Sequence, residues 1–446
     1  MTPEVLTILM FGTLIAAIAM GHPLAVTLAA VATLYGLIDN GFNVPALFDL
    51  ITNNNWGNFL NYTLVSIPLF IFMAQVLDRS KVSESLFDAL YIVLGGLRGG
   101  LGMAVIVVST VFAATTGIVG ASVVAMSLMA APALLQRGYE KGLSAGIVTS
   151  SGTLGILIPP SIMLVVYGGL TGLKETSVGN LFAAAILPGL LLSGLYLAYV
   201  AIRCGINPKL GPPIPREERT ATVIQKVTMT LKSFVPPFGL ILAVMGTILA
   251  GIATPTEAAA LGATGALILA MVKRTCTWQM IKGSAISTAR TTGMVMALFI
   301  GGKVFSVVFL SFGGGDVVAD LLLGMDVSPY VVLGIMMLII FFLGMFIDWA
   351  AILLVTVPIF TPIASDLGFD PLWFAMLICV NLQTSFLTPP FGYSLFYFKG
   401  AAPPEYSMGD VYRGILPFVG LQATAIAILI FFPQIITYLP SVFFGR

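Results

Sequence analysis

The strongest constraint on this chain is the length of its uncharged runs. No Asp, Glu, Lys or Arg occurs between Glu4 and Asp39, or from Gly99 to Gln136, and from Val327 to Ser365 only Asp348 interrupts. As a single helix rising about 1.5 Å per residue, the first of these runs would extend about 50 Å, well beyond a hydrocarbon core of about 30 Å. It is therefore read as two membrane spans, broken at Gly21-His22-Pro23. A soluble surface needs roughly a quarter of its residues charged, and this chain has 9% charged residues, 58% apolar residues and one histidine. The expected fold class is an all-α polytopic membrane protein.

Charge and cysteine content exclude other classes. Twenty Lys and Arg stand against 19 Asp and Glu, with no basic arm or stripe for nucleic acid. Cys204, Cys276 and Cys379 are isolated, unlike the cysteines of zinc sites or disulfide frameworks. Met1-Thr-Pro-Glu4 has no basic residue ahead of its apolar run, so the first span is expected to be retained rather than cleaved as a signal peptide.

The later segments carry helix breakers at telling places. A third span is expected over about 61–77, followed by an amphipathic, interfacial stretch at 78–98. The uncharged run at 99–136, with Thr115-Thr116-Gly117 near its middle, suits a double crossing or a re-entrant hairpin. Residues 142–173 contain Ser150-Ser151-Gly152-Thr153 and Pro159-Pro160, which no continuous helix holds at its centre, so a broken span is expected. A further span at about 178–202 leads into 203–232, read as a polar loop with six basic residues and prolines at 212, 213 and 215.

The second half echoes the first. A shift of 230 places Pro132 on Pro362, Gly138 on Gly368 and Pro159-Pro160 on Pro389-Pro390. Shifts of 232 and 229 place Pro23 on Pro255 and Ile186-Leu187-Pro188 on Ile415-Leu416-Pro417, the order a duplicated transporter would keep. The connector at 78–98 carries Arg79, Lys81 and Arg98, whereas its counterpart at 308–328 carries Asp316, Asp320 and Asp326 and no base. By the positive-inside rule the two lie on opposite faces, which makes the repeats inverted. The loop 203–232 is then cytoplasmic, the hairpin at 328–365 enters from outside, and both termini are outside. This predicts five regions: scaffold spans and arm at 1–98, half of a transport domain at 99–202, the loop at 203–232, a second scaffold at 233–327, and a second transport half at 328–446.

The chain offers little for catalysis. One histidine, isolated cysteines and scattered acids supply neither a metal centre nor a Ser/His or Cys/His couple, so no enzyme and no cofactor is expected. Gly313-Gly314-Gly315-Asp316 matches the Gly-x-Gly-Asp form of intramembrane aspartyl proteases, with Asp348 as the only candidate partner, although Asp316 also reads as part of a solvated acidic connector. Thr254-Pro255-Thr256-Glu257 is a capping box, so Glu257 is expected to serve its own helix start.

Interrupted helices leave backbone groups that are tolerated at membrane depth where they line a cavity, and such breaks bind ions and substrate. Two cation sites follow as expectations. The first joins Thr115, Thr116 and Gly117 to Ser150, Ser151, Gly152 and Thr153. The second joins Gly344 and Asp348 to Asn381, Gln383, Thr384 and Ser385. Hydroxyl, amide and carbonyl oxygens are hard ligands suited to Na⁺; the alternative is that the hydroxyls bond back to carbonyls of their own helices. Asp348 has the parallel alternative of capping a helix. Pro159, Pro160, Thr388, Pro389 and Pro390 are expected to line the substrate path.

Ser66-Ile-Pro-Leu-Phe70, Ser151-Gly-Thr-Leu-Gly-Ile-Leu-Ile-Pro-Pro-Ser161, Gly251-Ile-Ala-Thr-Pro-Thr-Glu-Ala-Ala-Ala260 and Gly344-Met-Phe-Ile-Asp348 with Thr388-Pro-Pro-Phe-Gly392 together resemble one family. The chain is similar, over essentially its whole length, to the large membrane subunit of tripartite ATP-independent periplasmic (TRAP) transporters. The resemblance implies Na⁺-driven uptake of organic acids across the bacterial inner membrane, with Na⁺ as coupling ion and an elevator motion of the hairpin domain. It also implies a periplasmic substrate-binding protein and a small four-span membrane subunit as partners. The stretch Thr388 to Gly400 resembles the branch described for mannitol, chloroaromatic or α-keto acid substrates. A stand-alone carboxylate permease of the same architecture is the nearest rival.

Overall fold

In the computed structural model, residues 1–445 are described apart from Leu60, Ile118, Thr220, Pro390 and Phe391; the side chains of 55–59, 114–116 and 216 are also outside the description. Twenty α-helices follow one another, and nine of them are long and apolar enough to cross a membrane among the described residues, one counted with the short 3-10 turn that leads into it.

The first half begins with α1 (Pro3–Ala19) and α2 (Leu24–Asp39), separated at Gly21-His22-Pro23 as the breakers require. Helix α3 (Val44–Phe59) follows, then a 3-10 turn into α4 (Ser66–Arg79), and α5 (Val82–Leu94) fills the amphipathic connector. A hairpin comes next, α6 (Gly100–Thr116) and α7 (Val119–Gln136). Its turn starts at Gly117, where a φ of +62° suits a residue without a Cβ. The expected broken span is α8 (Lys141–Thr153), a 3-10 turn at Leu154–Ile156, the cis Pro159-Pro160 bond and α9 (Ile162–Thr171). Helix α10 (Val178–Ile206) closes the half.

From its hairpin onward the second half follows the element order of the first, although four helices rather than five precede that hairpin and a further helix follows at the end. Helices α11 (Val223–Leu249), α12 (Pro255–Val272) and α13 (Trp278–Ser311) lead to the short α14 (Gly314–Leu323). Then come a second hairpin, α15 (Pro329–Phe346) with α16 (Trp349–Asp366), and a second interrupted helix, α17 (Pro371–Leu387) with α18 (Tyr393–Ala401). Helices α19 (Met408–Phe431) and α20 (Gln434–Phe444) finish the chain. Glu257 does cap α12: its carboxylate accepts from the Thr254 backbone N–H at 2.7 Å while the Thr254 hydroxyl accepts from the Glu257 N–H.

Helices α8 and α17 lie at the centre. Every residue from Gly142 to Thr153 and from Leu372 to Leu387 is buried. Their depth depends on small residues where polypeptides cross. A Cβ at Gly146 would overlap the Gly414 carbonyl oxygen, so α8 and α19 meet backbone to backbone. The Trp373 indole N–H donates to the Leu429 carbonyl at 2.9 Å, tying α17 to the same helix. Around this core α13 packs on α2, α4 and α16, and α4 packs on α12.

The loop expected at 203–232 is shorter, because α10 continues to Ile206 and α11 starts at Val223; basic residues at helix ends extend a span without entering the hydrocarbon. What remains is a strap. Its Gly211 and Leu210 carbonyls accept from Gly99 N–H at 2.9 Å and Glu140 N–H at 3.0 Å, and Ile214 N–H donates to the Gly95 carbonyl at 2.8 Å. Arg137 clamps Glu218 through two bonds of 3.0 and 2.7 Å.

Candidate functional site

Each hairpin lies against the interruption that follows it in sequence. In the first half, Ser151 Oγ donates to Ser109 Oγ on α6 at 3.0 Å, and a Cβ on Gly152 would lie 3.1 Å from the Val123 Cα of α7. The turn residue Gly117 faces the start of α9, since a Cβ there would lie 3.2 Å from Ile162 Cγ1 and 3.3 Å from its N. The hairpin tip thus meets the far side of the break, while the hairpin arms meet Ser151 and Gly152. The side chains of Thr115 and Thr116 lie outside the described residues.

The back-bonding alternative is realised for the hydroxyls of α8. Ser150 donates to Gly146 O at 2.6 Å, Ser151 also reaches Ile147 O at 2.6 Å, and Thr153 donates to Ser150 O at 2.8 Å. A hydroxyl that donates its proton keeps its lone pairs, so this arrangement still leaves oxygens able to face a cation.

In the second half, Asn381 Nδ2 donates to the Met337 carbonyl of α15 at 2.7 Å. One turn further, Ser385 donates to Leu382 O at 2.7 Å, and a Cβ on Gly344 would overlap Ser385 Oγ. Asn381 and Ser385 therefore share the face of α17 that meets hairpin 2. Thr384 and Thr388 bond back along the helix, to Val380 O at 3.4 Å and Thr384 O at 2.7 Å. Gln383, about 200° around the helix from Asn381, points away from that face. Both of its amide atoms are buried with no hydrogen-bond partner among the described residues.

Asp348 occupies the tip of hairpin 2. Its Oδ1 accepts from the Ala350 N–H at 3.0 Å and caps α16, with a φ of −65° and ψ of 147° in the extended region that cap residues adopt. Its carboxylate also lines a cavity of about 70 Å³. Around that cavity stand the first residues of four helices: Val119 of α7, Ile162 of α9, Trp349 of α16 and Tyr393 of α18. Each helix start carries roughly half a positive charge, so the interruptions of both halves aim partial positive charge at one place. Thr291, Met294 and Leu298 of α13, with Phe386 and Tyr397, also line it.

The sequence-expected residues divide accordingly. Asp348 lines the cavity, whereas Pro159, Pro160, Thr388 and Pro389 are not among its walls; they shape the breaks after which Ile162 and Tyr393 start new helices. Pro390 lies outside the described residues. Sequence reasoning does not single out Tyr393, Tyr397 or the α13 residues. The first two carry a signal, an aromatic pair one helical turn apart just after a helix break. Asp316 sits in the first turn of α14 and does not share the Asp348 cavity, so the paired aspartates of an intramembrane protease are not formed.

A bundle of membrane helices in which two hairpins and two interrupted helices enclose one small polar-ended cavity is built as a membrane transporter. Residues 11–435 match the family described as "Tripartite ATP-independent periplasmic transporter, DctM component". The chain is 34% identical over 385 residues, 86% of its length and 85% of the relative, to the C4-dicarboxylate TRAP transporter large permease protein DctM of Pseudomonas aeruginosa. It is 30% identical over 440 residues, 98% of its length and 99% of the relative, to the ectoine/5-hydroxyectoine TRAP transporter large permease protein UehC of Ruegeria pomeroyi. The fold also resembles the crystal structure of the Alcanivorax borkumensis YdaH transporter, with a TM-score of 0.63 at 15% identity over 100% of this chain and 99% of that one. The chain belongs to the large permease family of TRAP transporters, the family its motifs resemble.

Proposed function

We propose that this chain is the large membrane subunit of a Na⁺-coupled secondary transporter that imports a small organic acid across the bacterial inner membrane. The carrying observation is the cavity at Asp348. Four helix starts there favour an anion, and one lining carboxylate opposes it. An unpaired acid at membrane depth costs on the order of 3 kcal/mol. A cation bound beside the Asn381 and Ser385 face would offset that cost and make the cavity receptive to a substrate carboxylate. Ion binding is thereby coupled to substrate binding. The sequence-expected first site, between hairpin 1 and the Ser150 to Thr153 stretch, is the symmetric counterpart.

The two halves act as inverted repeats with both termini periplasmic, and the hairpin domain moves as an elevator against α1 to α4 and α11 to α13. A periplasmic binding protein brings the substrate, and a small four-span subunit covers outer apolar faces such as that of α11. Relatives named for C4-dicarboxylates and ectoines support a small charged or polar organic substrate. The test is uptake into proteoliposomes with an imposed Na⁺ gradient, with and without the binding protein and small subunit. Accumulation should need the inward Na⁺ gradient and the binding protein. Gradient-independent equilibration would overturn the coupling, and full uptake by this chain alone would identify a stand-alone permease.

A further inference from the structure

One ring separates the Asp348 cavity from a much larger space. Outside hairpin 2, between the last turn of α1, the tip-proximal half of α15 and α18, lies a groove of about 940 Å³ whose described walls, apart from Tyr393, are all apolar. Tyr393 is the one described residue that lines both the groove and the cavity. Its ring is held at both ends. Tyr393 is the first residue of α18, its hydroxyl donates to the Phe346 carbonyl at the end of α15 at 3.2 Å, and its ring meets Phe386 edge-on at 5.9 Å. Of the other walls, Gly120 lies against the Tyr397 ring, Trp349 and Phe386 are buried, and Met294 and Tyr397 are partly exposed.

We infer that Tyr393 is a specificity-determining residue that sets the upper length of the transported acid, an inference that rests on the substrate carboxylate occupying the Asp348 cavity. A carboxylate held at the helix starts leaves its remaining atoms in a space bounded on the groove side by the Tyr393 ring. Short acids fit. Behind the ring lies the apolar groove, whose Phe342, Phe346 and Phe396 walls are exposed on the outer surface, and the ring blocks a longer apolar tail from reaching it. Removing the ring joins the two spaces, and each methylene that then leaves water should tighten binding by about fourfold. The Phe346 bond orients the ring, whereas the ring's volume makes the seal.

Thr291 lines the cavity and supplies the reporter. In the full chain purified with any subunit that accompanies it, with Cys204, Cys276 and Cys379 replaced by Ser and Na⁺ present, T291C is modified by a small thiol reagent while acetate, butyrate, octanoate and decanoate are titrated. With Tyr393 intact, acetate and butyrate should slow modification and octanoate should not. Y393A should gain protection by octanoate at concentrations at least tenfold lower than the Tyr393 protein needs, and Y393F should keep the short cut-off. An unchanged cut-off in Y393A, or the same extension in Y393F, overturns the assignment of length selection to the ring. Absence of protection by any acid in every variant sinks the substrate-cavity reading itself.

Discussion

Gly344 tests whether hairpin 2 must lie directly on α17. A Cβ there would be 2.6 Å from Ser385 Cβ and would overlap Ser385 Oγ, whereas carbons in contact prefer about 3.5–4.0 Å. Gly344→Ala therefore requires α15 to retreat by roughly 1 Å from a fully buried helix, an overpacking cost of about 2 kcal/mol. Ser385→Gly alone should cost about 1 kcal/mol through helix propensity and loss of the Leu382 hydrogen bond. Because Ser385→Gly removes both clashing atoms, the double variant should lose only about 1 kcal/mol where independent effects would add to about 3 kcal/mol, a coupling of about 2 kcal/mol. The assay is denaturation in detergent at fixed Na⁺, repeated across Na⁺ concentrations, because a ligand bound only by the folded state stabilises it as its concentration rises. The single Gly344→Ala variant should also raise the Na⁺ concentration needed for half-maximal stabilisation. A Gly344→Ala protein as stable as the parent, with additive behaviour in the double variant, would refute close packing at this crossing.

Asp348→Asn preserves an oxygen that can accept from Ala350 N–H, so assembly should survive while the Na⁺ dependence of uptake weakens by about tenfold or more; wild-type Na⁺ activation would leave Asp348 with capping alone. For topology, a single cysteine at Ser328 should react with a membrane-impermeant thiol reagent in spheroplasts and one at Thr222 should not, and the reverse pattern would invert the proposed orientation. The Arg137 hydrogen bond holds the Glu218 carboxyl below the usual carboxylate range. A depressed acid stabilises the folded form above its unfolded pKa and loses that contribution as pH falls through the folded value, so the strap at 207–222 should be cleaved by protease faster at pH 4 than at pH 7. Glu218→Gln should raise the pH 7 rate by about twofold to fivefold, as expected for an exposed ion pair, and remove the pH response; a variant with the parent's pH profile would show that the clamp does not hold the strap.

Much of this architecture is legible in the sequence because the decisive residues act locally. Pro159-Pro160 and Pro389 stand at helix breaks beside glycine or hydroxyl residues, although Pro236-Pro237 sits inside the continuous α11, and Thr254 with Glu257 satisfies the backbone of its own helix start. Charge contrast exposes the α5 and α14 connectors for a similar reason. Helix α3 escapes a reading by polarity because Asn53-Asn54-Asn55 looks like a break, although Asn in a helix can bond to the preceding turn, as Asn54 does to the Leu50 carbonyl at 2.9 Å. The two cation sites are expected from hydroxyl and amide content, which says nothing of helix face. That is why Gln383 stands beside Asn381 in sequence yet faces elsewhere. The cavity walls contributed by Met294, Leu298, Phe386 and Tyr397 arise only when separate segments meet. No periodicity within one segment distinguishes such residues from ordinary core.

The central position of α8 also governs how the chain can be made. Helix α8 has 13 residues and α9 has 10. With a rise of about 1.5 Å per residue they extend about 20 Å and about 15 Å, each short of the hydrocarbon thickness. With Ser144, Thr149, Ser150, Ser151 and Thr153 on so short a helix, α8 has little tendency to enter lipid alone. Its backbone-to-backbone neighbour at Gly146 is Gly414 of α19, which belongs to the far end of the chain. At a synthesis rate of about 5–20 residues per second, that neighbour emerges roughly 15–50 s later. During this interval the half-made protein holds a hydroxyl-rich helix without its final packing surface. Membrane insertion is thus spread over time, and a ribosome stalled between α10 and α19 leaves α8 lacking the helix it finally packs on.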